Sequence, residues 1–280
     1  MRDISFGQYY AAESVVHRLD PRLKLILTIA YMVLVFFIQT FFGFGILFVF
    51  VLAVTFSARI PPLRLLRSLR TILILLLFTI SITLLFYHNS AETPIAEWWI
   101  FSFYRSGFIN SGLLACRLVL LIIGPTLLTL TTTPVSLTDA IESLLKPLSW
   151  IKIPVHAFAM IMSIALRLIP TLSEETHKII AAQKARGANF DSRNPFKRAK
   201  ALIPILIPLF VSSFRRADEL AYAMDSRCYK GAKGRTRMKV MRFAWRDLFA
   251  FLVFGALFFG ILLLRYNWWN WDWVRLITQW

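Results

Sequence analysis

The sequence predicts an all-α polytopic membrane protein with about five transmembrane helices and three cytoplasmic helices, N-terminus in and C-terminus out. Three observations predict it. Of the 280 residues, 58% are hydrophobic, where a soluble domain has about 45–50%. The apolar residues gather into runs of about twenty, the length at which a helix crosses a bilayer. The 32 Lys and Arg, against 15 acids, collect between those runs, as cytoplasmic loops do.

Residues 1–22 form a polar, basic N-terminal segment without the apolar core of a secretory signal. Residues 23–39 (LKLILTIAYMVLVFFIQ) are the first span. A short link containing Gly43 and Gly45 leads to the second, 45–56, so the two form a helical hairpin. Residues 57–70 carry Arg59, Arg64, Arg67 and Arg70 and no acid, which places this loop in the cytoplasm. Residues 71–87 are the third span. The stretch 88–107 has two acids and one base, and fits an outer loop with Trp98, Trp99 and Tyr104 at the interface. Residues 108–132 are the fourth span. Arg117 lies within it, and an intramembrane arginine invites a functional reading. Pairing inside the bundle, or snorkelling from the outer end, is the reading favoured here.

Residues 133–242 differ in kind, with nineteen Lys or Arg and eight acids. Counting crossings places them inside. Three helices are expected. The first covers 134–148, with Ser136 and Thr138 as candidate caps. The second runs from about Pro154 to Arg186 and the third from about Asn194 to Arg227. The latter two start apolar, meet Pro170 and Pro204 with Pro208, and end charged. Each would be about 50 Å long, and their polar halves could not sit in hydrocarbon, so they lie along or obliquely through the cytoplasmic face. Residues 242–266 are the fifth span, and the Trp-rich tail beyond it suits an outer interfacial anchor. The chain thus divides into 1–132, 133–242 and 243–280.

The net charge of +17 follows from this topology. No nucleic-acid motif accompanies it, so no nucleic-acid partner is expected. Cys116 and Cys228 make neither a disulfide framework nor a metal site, and His17, His88, His156 and His177 lack metal-ligand spacing. No HExxH, GxSxG or P-loop is present. Glu174, Glu175 and His177 are the one constellation that suggests a membrane-embedded hydrolase. A zinc site needs three protein ligands, and a solvated helix face balanced by Lys178 explains the same residues. No catalytic residue, metal or cofactor is therefore expected. Spans one, two, three and five hold essentially no mid-membrane charge, unlike a channel or an autonomous ion-coupled transporter. The membrane part reads as a scaffold, and the information lies in the cytoplasmic third.

Two stretches there echo one another. AAQKARGANF (181–190) and AYAMDSRCYK (221–230) align with Arg186 on Arg227, Ala185 on Ser226 and Gly187 on Cys228. Arginine is always charged and offers a planar fork for carboxylates and carbonyls. The small residues before each arginine leave a narrow tip able to enter a groove. Two such tips on two parallel-looking helices suit two similar binding sites on a paired partner. A helix that ends in a basic residue for dipole reasons alone is the plainer alternative.

With these residues in view, the chain resembles the transmembrane T component of energy-coupling factor (ECF) transporters, ABC-type vitamin and metal importers. KARGA (184–188) and DSRCY (225–229) are similar to that family's paired Ala-Arg-Gly motifs. RRADELAYAMDSRCY (215–229) resembles the approach to the second motif, and GQYYAAESVVHRLDPRLKL (7–25) the N-terminal segment. The resemblance implies a subunit of the bacterial cell membrane that does no chemistry. It would couple two cytoplasmic ABC-type ATPases, which bind the ATP, to a substrate-binding S component. Arg186 and Arg227 would dock on the two ATPases, flanked by Ala185, Gly187, Ser226 and Cys228. The apolar stretches 158–166 and 201–211 would meet the S component, with Met160, Ile161, Met162, Ile164, Leu206, Leu209 and Phe210 as candidates; the same stretches could instead pack on each other. A permease subunit of another ABC importer is the alternative within transport, although two motifs in one chain favour the ECF arrangement. The second motif departs from the pattern. Cys228 adopts a left-handed stop less cheaply than glycine, so the third helix is expected to run on a turn or to end nearer Gly231.

Overall fold

The computed structural model describes residues 9–86, 96–98, 101–151, 154–188, 190, 195–231 and 243–266. The apolar runs are helices: α1 (Pro21–Phe37), α2 (Phe41–Ser57), α3 (Pro62–Phe86), α4 (Arg105–Thr131), α5 (Pro134–Leu145), α6 (Val155–Ala185), α7 (Pro195–Ser226) and α8 (Trp245–Tyr266). A short antiparallel pair, β1 (Ala96–Trp98) and β2 (Phe101–Phe103), lies between α3 and α4. Each of the five predicted spans is a helix. By length and composition α4, α6 and α8 could each cross a membrane, and α3 could as a bent pair, Pro62–Arg70 and Ile72–Phe86 meeting at 59°. The 17-residue α1 and α2 are about 25 Å long. α6 qualifies because its first half is apolar; its second half carries Glu174, Glu175, Lys178 and Lys184. Residues 88–95 and 99–100 of the expected outer loop at 88–107 and the Trp-rich tail lie outside the described residues, as do the Trp98 and Trp99 side chains. Tyr104 is buried at the start of α4 rather than exposed at an interface.

The described residues fall into two compact units, 9–140 with 243–266, and 141–231. In the first, Leu34, Val35 and Leu47 are fully enclosed, packed with Leu120, Leu130 and Phe254. The link between α1 and α2 is shorter than the glycines suggested. It occupies 38–40, Thr40 caps α2 by accepting from the Gly43 amide at 3.3 Å, and Gly43 and Gly45 are already helical. α1 and α4 approach closely because position 124 is glycine. A Cβ there would lie 2.5 Å from Cε1 of Tyr31, whose hydroxyl donates to the Leu120 carbonyl at 2.9 Å. Arg117 resolves into a structural residue. Its Nη2 donates to the Ile38 carbonyl at 2.9 Å, and its guanidinium stands 6.0 Å from the Phe44 ring. It pins the α1–α2 link from inside the bundle.

One end of this unit is a latch. The N-terminal segment joins the end of α4 through the Tyr10 amide and the Leu130 carbonyl, 2.9 Å apart. Lys24 is buried and donates from Nζ to the carbonyls of Thr131 (3.0 Å) and His17 (3.1 Å). The last carbonyls of a helix lack intrahelical partners, and here a lysine supplies one. Asp20 caps α1 by accepting from the Arg22 amide, with Pro21 at the first helical position. The carboxylate of Asp247 is shared. Oδ2 accepts from the Ala244 amide at 2.7 Å, capping α8, and Oδ1 accepts from the Asp20 amide at 2.9 Å. The chain therefore leaves α4 and enters α8 on the side that holds the N-terminal segment.

α5, whose residues 134–140 belong to the first unit, is capped by Thr133, not by Ser136 or Thr138. Thr133 Oγ1 accepts from the Ser136 amide at 3.3 Å and shares a hydrogen bond with the Ser136 hydroxyl, whereas the Thr138 hydroxyl bonds back to the Pro134 carbonyl. A 3₁₀ turn, Lys146–Ile151, ends this piece. His156 on α6 meets Glu142 on α5 at 3.0 Å. α6 and α7 have 31 and 32 residues, each about 47 Å, and keep Pro170, Pro204 and Pro208 inside the helix.

Candidate functional site: two arginine tips

Both long helices end in the same way. At the end of α6 the Gly187 amide donates to the Lys184 carbonyl at 3.0 Å, and the Ala188 amide to Gln183 at 3.0 Å. At the end of α7 the Cys228 amide donates to Asp225 at 2.9 Å, and the Tyr229 amide to Met224 at 3.1 Å. Each pair is a Schellman ending, which requires a left-handed residue just past the helix. Gly187 takes φ 85° and Cys228 takes φ 55°. The expectation that α7 would run on past Cys228 is thus overturned. It stops at Ser226, because the main-chain bonds of the ending outweigh the steric cost of a Cβ in that region.

Arg186 and Arg227 occupy equivalent positions, directly before the left-handed residue. Ala185, Arg186, Gly187, Ser226, Arg227 and Cys228 are all exposed. Among the described residues neither guanidinium has a hydrogen-bond or ion-pair partner. The carbonyls at each helix end are already served by main-chain amides, so capping does not account for the arginines.

The helices do not run parallel. Glu175 on α6 bonds Ser212 and Arg216 on α7, the latter at 2.8 Å, while Gln183, further along α6, reaches back to the Pro204 carbonyl at 3.5 Å. Rising numbers on α6 meet falling numbers on α7, which makes the pair antiparallel. The tips therefore lie at opposite ends of the contact. From Pro204, beside the α6 tip, to Arg227 is about 35 Å along α7.

The apolar stretches do not bury each other. Ile161, Met162, Leu206 and Phe210 are exposed, while Met160, Ile164 and Leu209 are half-buried. Among the described residues of α7, Ile205 is the buried apolar one. Leu206, Ile207, Phe210, Val211 and Phe214 line a shallow open groove with Arg215 and Asp218 at one end.

Two residues of the hydrolase alternative, Glu175 and His177, are used structurally. Both Glu175 oxygens are bonded across to α7, and His177 Nδ1 lies 2.6 Å from the Ser173 carbonyl. No group of three or more metal-binding side chains occurs among the described residues. Sequence reasoning missed the latch at Lys24 and Asp247. The signal was a lone acid in the first turn of an apolar helix and a lysine at the start of another.

Helix bundle, latch and exposed paired tips define a multi-pass membrane protein with a separate, strongly basic helical unit. Residues 12–239 match the family described as cobalt transport protein, CbiQ. Three relatives carry the description energy-coupling factor transporter transmembrane protein EcfT. That of Thermosediminibacter oceani is 46% identical over 96% of this chain and 100% of its own length. That of Clostridium kluyveri is 46% identical over 96% and 99%. That of Ruminiclostridium cellulolyticum is 47% identical over 95% and 98%. The chain belongs to this family and is the transmembrane component of a bacterial ECF transporter.

Proposed function

We propose that this chain transmits ATP-driven motion from two cytoplasmic ATPases to a substrate-binding membrane partner, the S component, for uptake of vitamins or other micronutrients. ATP is bound by the ATPases, and this chain carries no cofactor. Arg186 docks in one ATPase and Arg227 in the other. The observation that carries this reading is the equivalence of the two tips: the same helix ending, the same arginine position and full exposure. The antiparallel contact supports it further, since it separates the tips enough for two different subunits. When the ATPases close, the tips are drawn together and the helices shift across their contact. The exposed face with Ile161, Met162, Leu206 and Phe210 then moves against the S component.

The test is Arg186→Glu with Arg227→Glu. The double variant should insert into the membrane normally but lose copurifying ATPases and uptake. Breaking a buried charge pair costs about 3–5 kcal/mol, so each single change should be milder than both together. Recovery of both ATPases at normal yield with the double variant would refute the docking scheme.

A further inference from the structure

Within the first unit a cleft opens among α1, α2, α4 and α8. Its volume is about 350 Å³, and its walls are apolar, with Leu27, Val54, Leu127, Phe249 and Val253 among them. That volume falls at the lower end of the range for small-molecule sites. It adjoins a polar hollow bordered by Glu13, Arg18, Arg59 and Arg246, and Val15, Ser57 and Arg246 line both spaces. Glu13 is paired with Arg18 at 3.2 Å, so Arg59 and Arg246 leave the hollow with positive charge. Arg59 is fixed there by a left-handed turn at φ 53°, its amide bonded to the Phe56 carbonyl. Arg246 belongs to the first turn of α8, whose dipole adds to its charge. Phe243, Trp245 and Phe249 are exposed around that turn, at 69%, 86% and 70%, a collar suited to the bilayer interface.

An apolar slot with two cations at its mouth is complementary to one end of an anionic phospholipid. Basic pockets between helices on the cytoplasmic side take such head groups, and the Arg-rich stretch 57–70 that contributes Arg59 reads as cytoplasmic. Lipid also surrounds every span, so the occupant is at hand. We propose that this cleft holds an anionic phospholipid, with an acyl chain among α1, α2, α4 and α8 and the phosphate between Arg59 and Arg246. The lipid would brace α8 against α1 and α2 beside the latch.

The test uses the purified, delipidated full chain with its copurifying partners. It is offered equal amounts of phosphatidylglycerol and phosphatidylcholine with identical acyl chains, and bound lipid is counted by native mass spectrometry. Retention should favour phosphatidylglycerol by about tenfold to thirtyfold, the expectation for two surface arginines. Arg59→Gln with Arg246→Gln should remove the preference, and Arg67→Gln with Arg70→Gln should keep it. Ala53→Phe, which narrows the cleft from an exposed wall position, should lower retention of both lipids without altering the melting profile. Excess inorganic phosphate should leave the lipid in place. Equal retention of the two lipids overturns the proposal, as does a preference that survives loss of Arg59 and Arg246, or displacement by phosphate. A photo-crosslinker at position 53 that captures protein rather than lipid in native membranes would overturn it too.

Discussion

Gly187 and Cys228 stand at the same point of two helices, one residue beyond an arginine, and both hold positive φ. Glycine reaches that conformation freely. For cysteine it costs roughly 1–2 kcal/mol. The ending of α7 nevertheless keeps both Schellman bonds that close α6. What the two tips share is therefore the left-handed conformation and the arginine before it, rather than the glycine.

Substitutions at these two positions should act in opposite directions. Cys228→Gly relieves the Cβ strain but adds freedom to the unfolded chain, so it should leave the end of α7 intact and at most stabilise it by about 1 kcal/mol. Gly187→Val places a β-branched residue at φ 85° and should fray the last turn of α6. Amide exchange reads both. The Ala188 amide, protected by the Gln183 carbonyl, should exchange faster in Gly187→Val. The Tyr229 amide should exchange no faster in Cys228→Gly. The reverse pattern would mean that the endings are not held by left-handed residues.

The clasp between α6 and α7 separates two neighbouring acids. Glu175 accepts from Ser212 and Arg216 across the helix pair, while among the described residues Glu174 takes part in no such bridge. Hydrogen bonds to a charged group are worth about 1.5–3 kcal/mol, and this one is partly shielded from solvent. Glu175→Ala should loosen the pair by about 1–3 kcal/mol, visible as faster proteolysis within 155–226. Glu174→Ala should not. Arg216→Ala should match Glu175→Ala, and the double variant should add little beyond either single change. Loss of uptake in Glu174→Ala, with the helices still protected, would instead revive a chemical role for the acids.

The sequence carried the helices well, because each is long and its apolar period or run is unbroken. It carried the tips too, since small residues around an arginine recur in register. It could not carry direction. That α6 and α7 meet antiparallel depends on Glu175 finding Arg216 and Gln183 finding Pro204, and no local pattern encodes such pairs. The link glycines misled for a related reason. Gly43 and Gly45 looked like a turn, but Thr40 starts the helix before them, and Gly43 is small because Ile38 folds back to where a Cβ would lie, 2.9 Å away. At Cys228, residue preference argued for a longer helix, and the main-chain bonds of the ending prevailed.

His17 predicts a pH response in the latch. Nε2 donates to the Tyr10 carbonyl at 2.9 Å, so in the neutral ring Nδ1 accepts from the Ser14 hydroxyl at 2.7 Å. Burial is the main cause that lowers its pKa, aided by the nearby Lys24 ammonium and opposed by the hydrogen bonds to main-chain carbonyls. The folded protein then binds fewer protons than the unfolded chain below the ordinary value of about 6.5. Its contribution to stability is complete above that value and is lost as pH falls through the lowered one. Melting temperatures measured from pH 7.5 down to 5 should drop more steeply for the native chain than for His17→Gln. Parallel curves would show that His17 does not titrate in the latch.

Asp247 is the residue on which the latch turns. It is 3% exposed, and its two oxygens serve two different main-chain amides, one at its own helix start and one at Asp20 before α1. Asp247→Ala would leave the buried Asp20 amide without its acceptor, at about 1–3 kcal/mol, and the more exposed Ala244 amide at less. Asp247→Asn retains an oxygen for one amide but turns its NH2 toward the other, so it should recover only part of the loss. The position joins α1 to α8 within the first unit, whereas Arg186 and Arg227 belong to the second. The alanine variant should therefore melt earlier and accumulate less in the membrane, while the fraction that inserts should still copurify ATPases through Arg186 and Arg227. Normal accumulation and melting of Asp247→Ala would show that the latch is not what holds the N-terminal segment. Full-yield insertion with ATPases lost would move Asp247 from the bundle's stability to the docking itself.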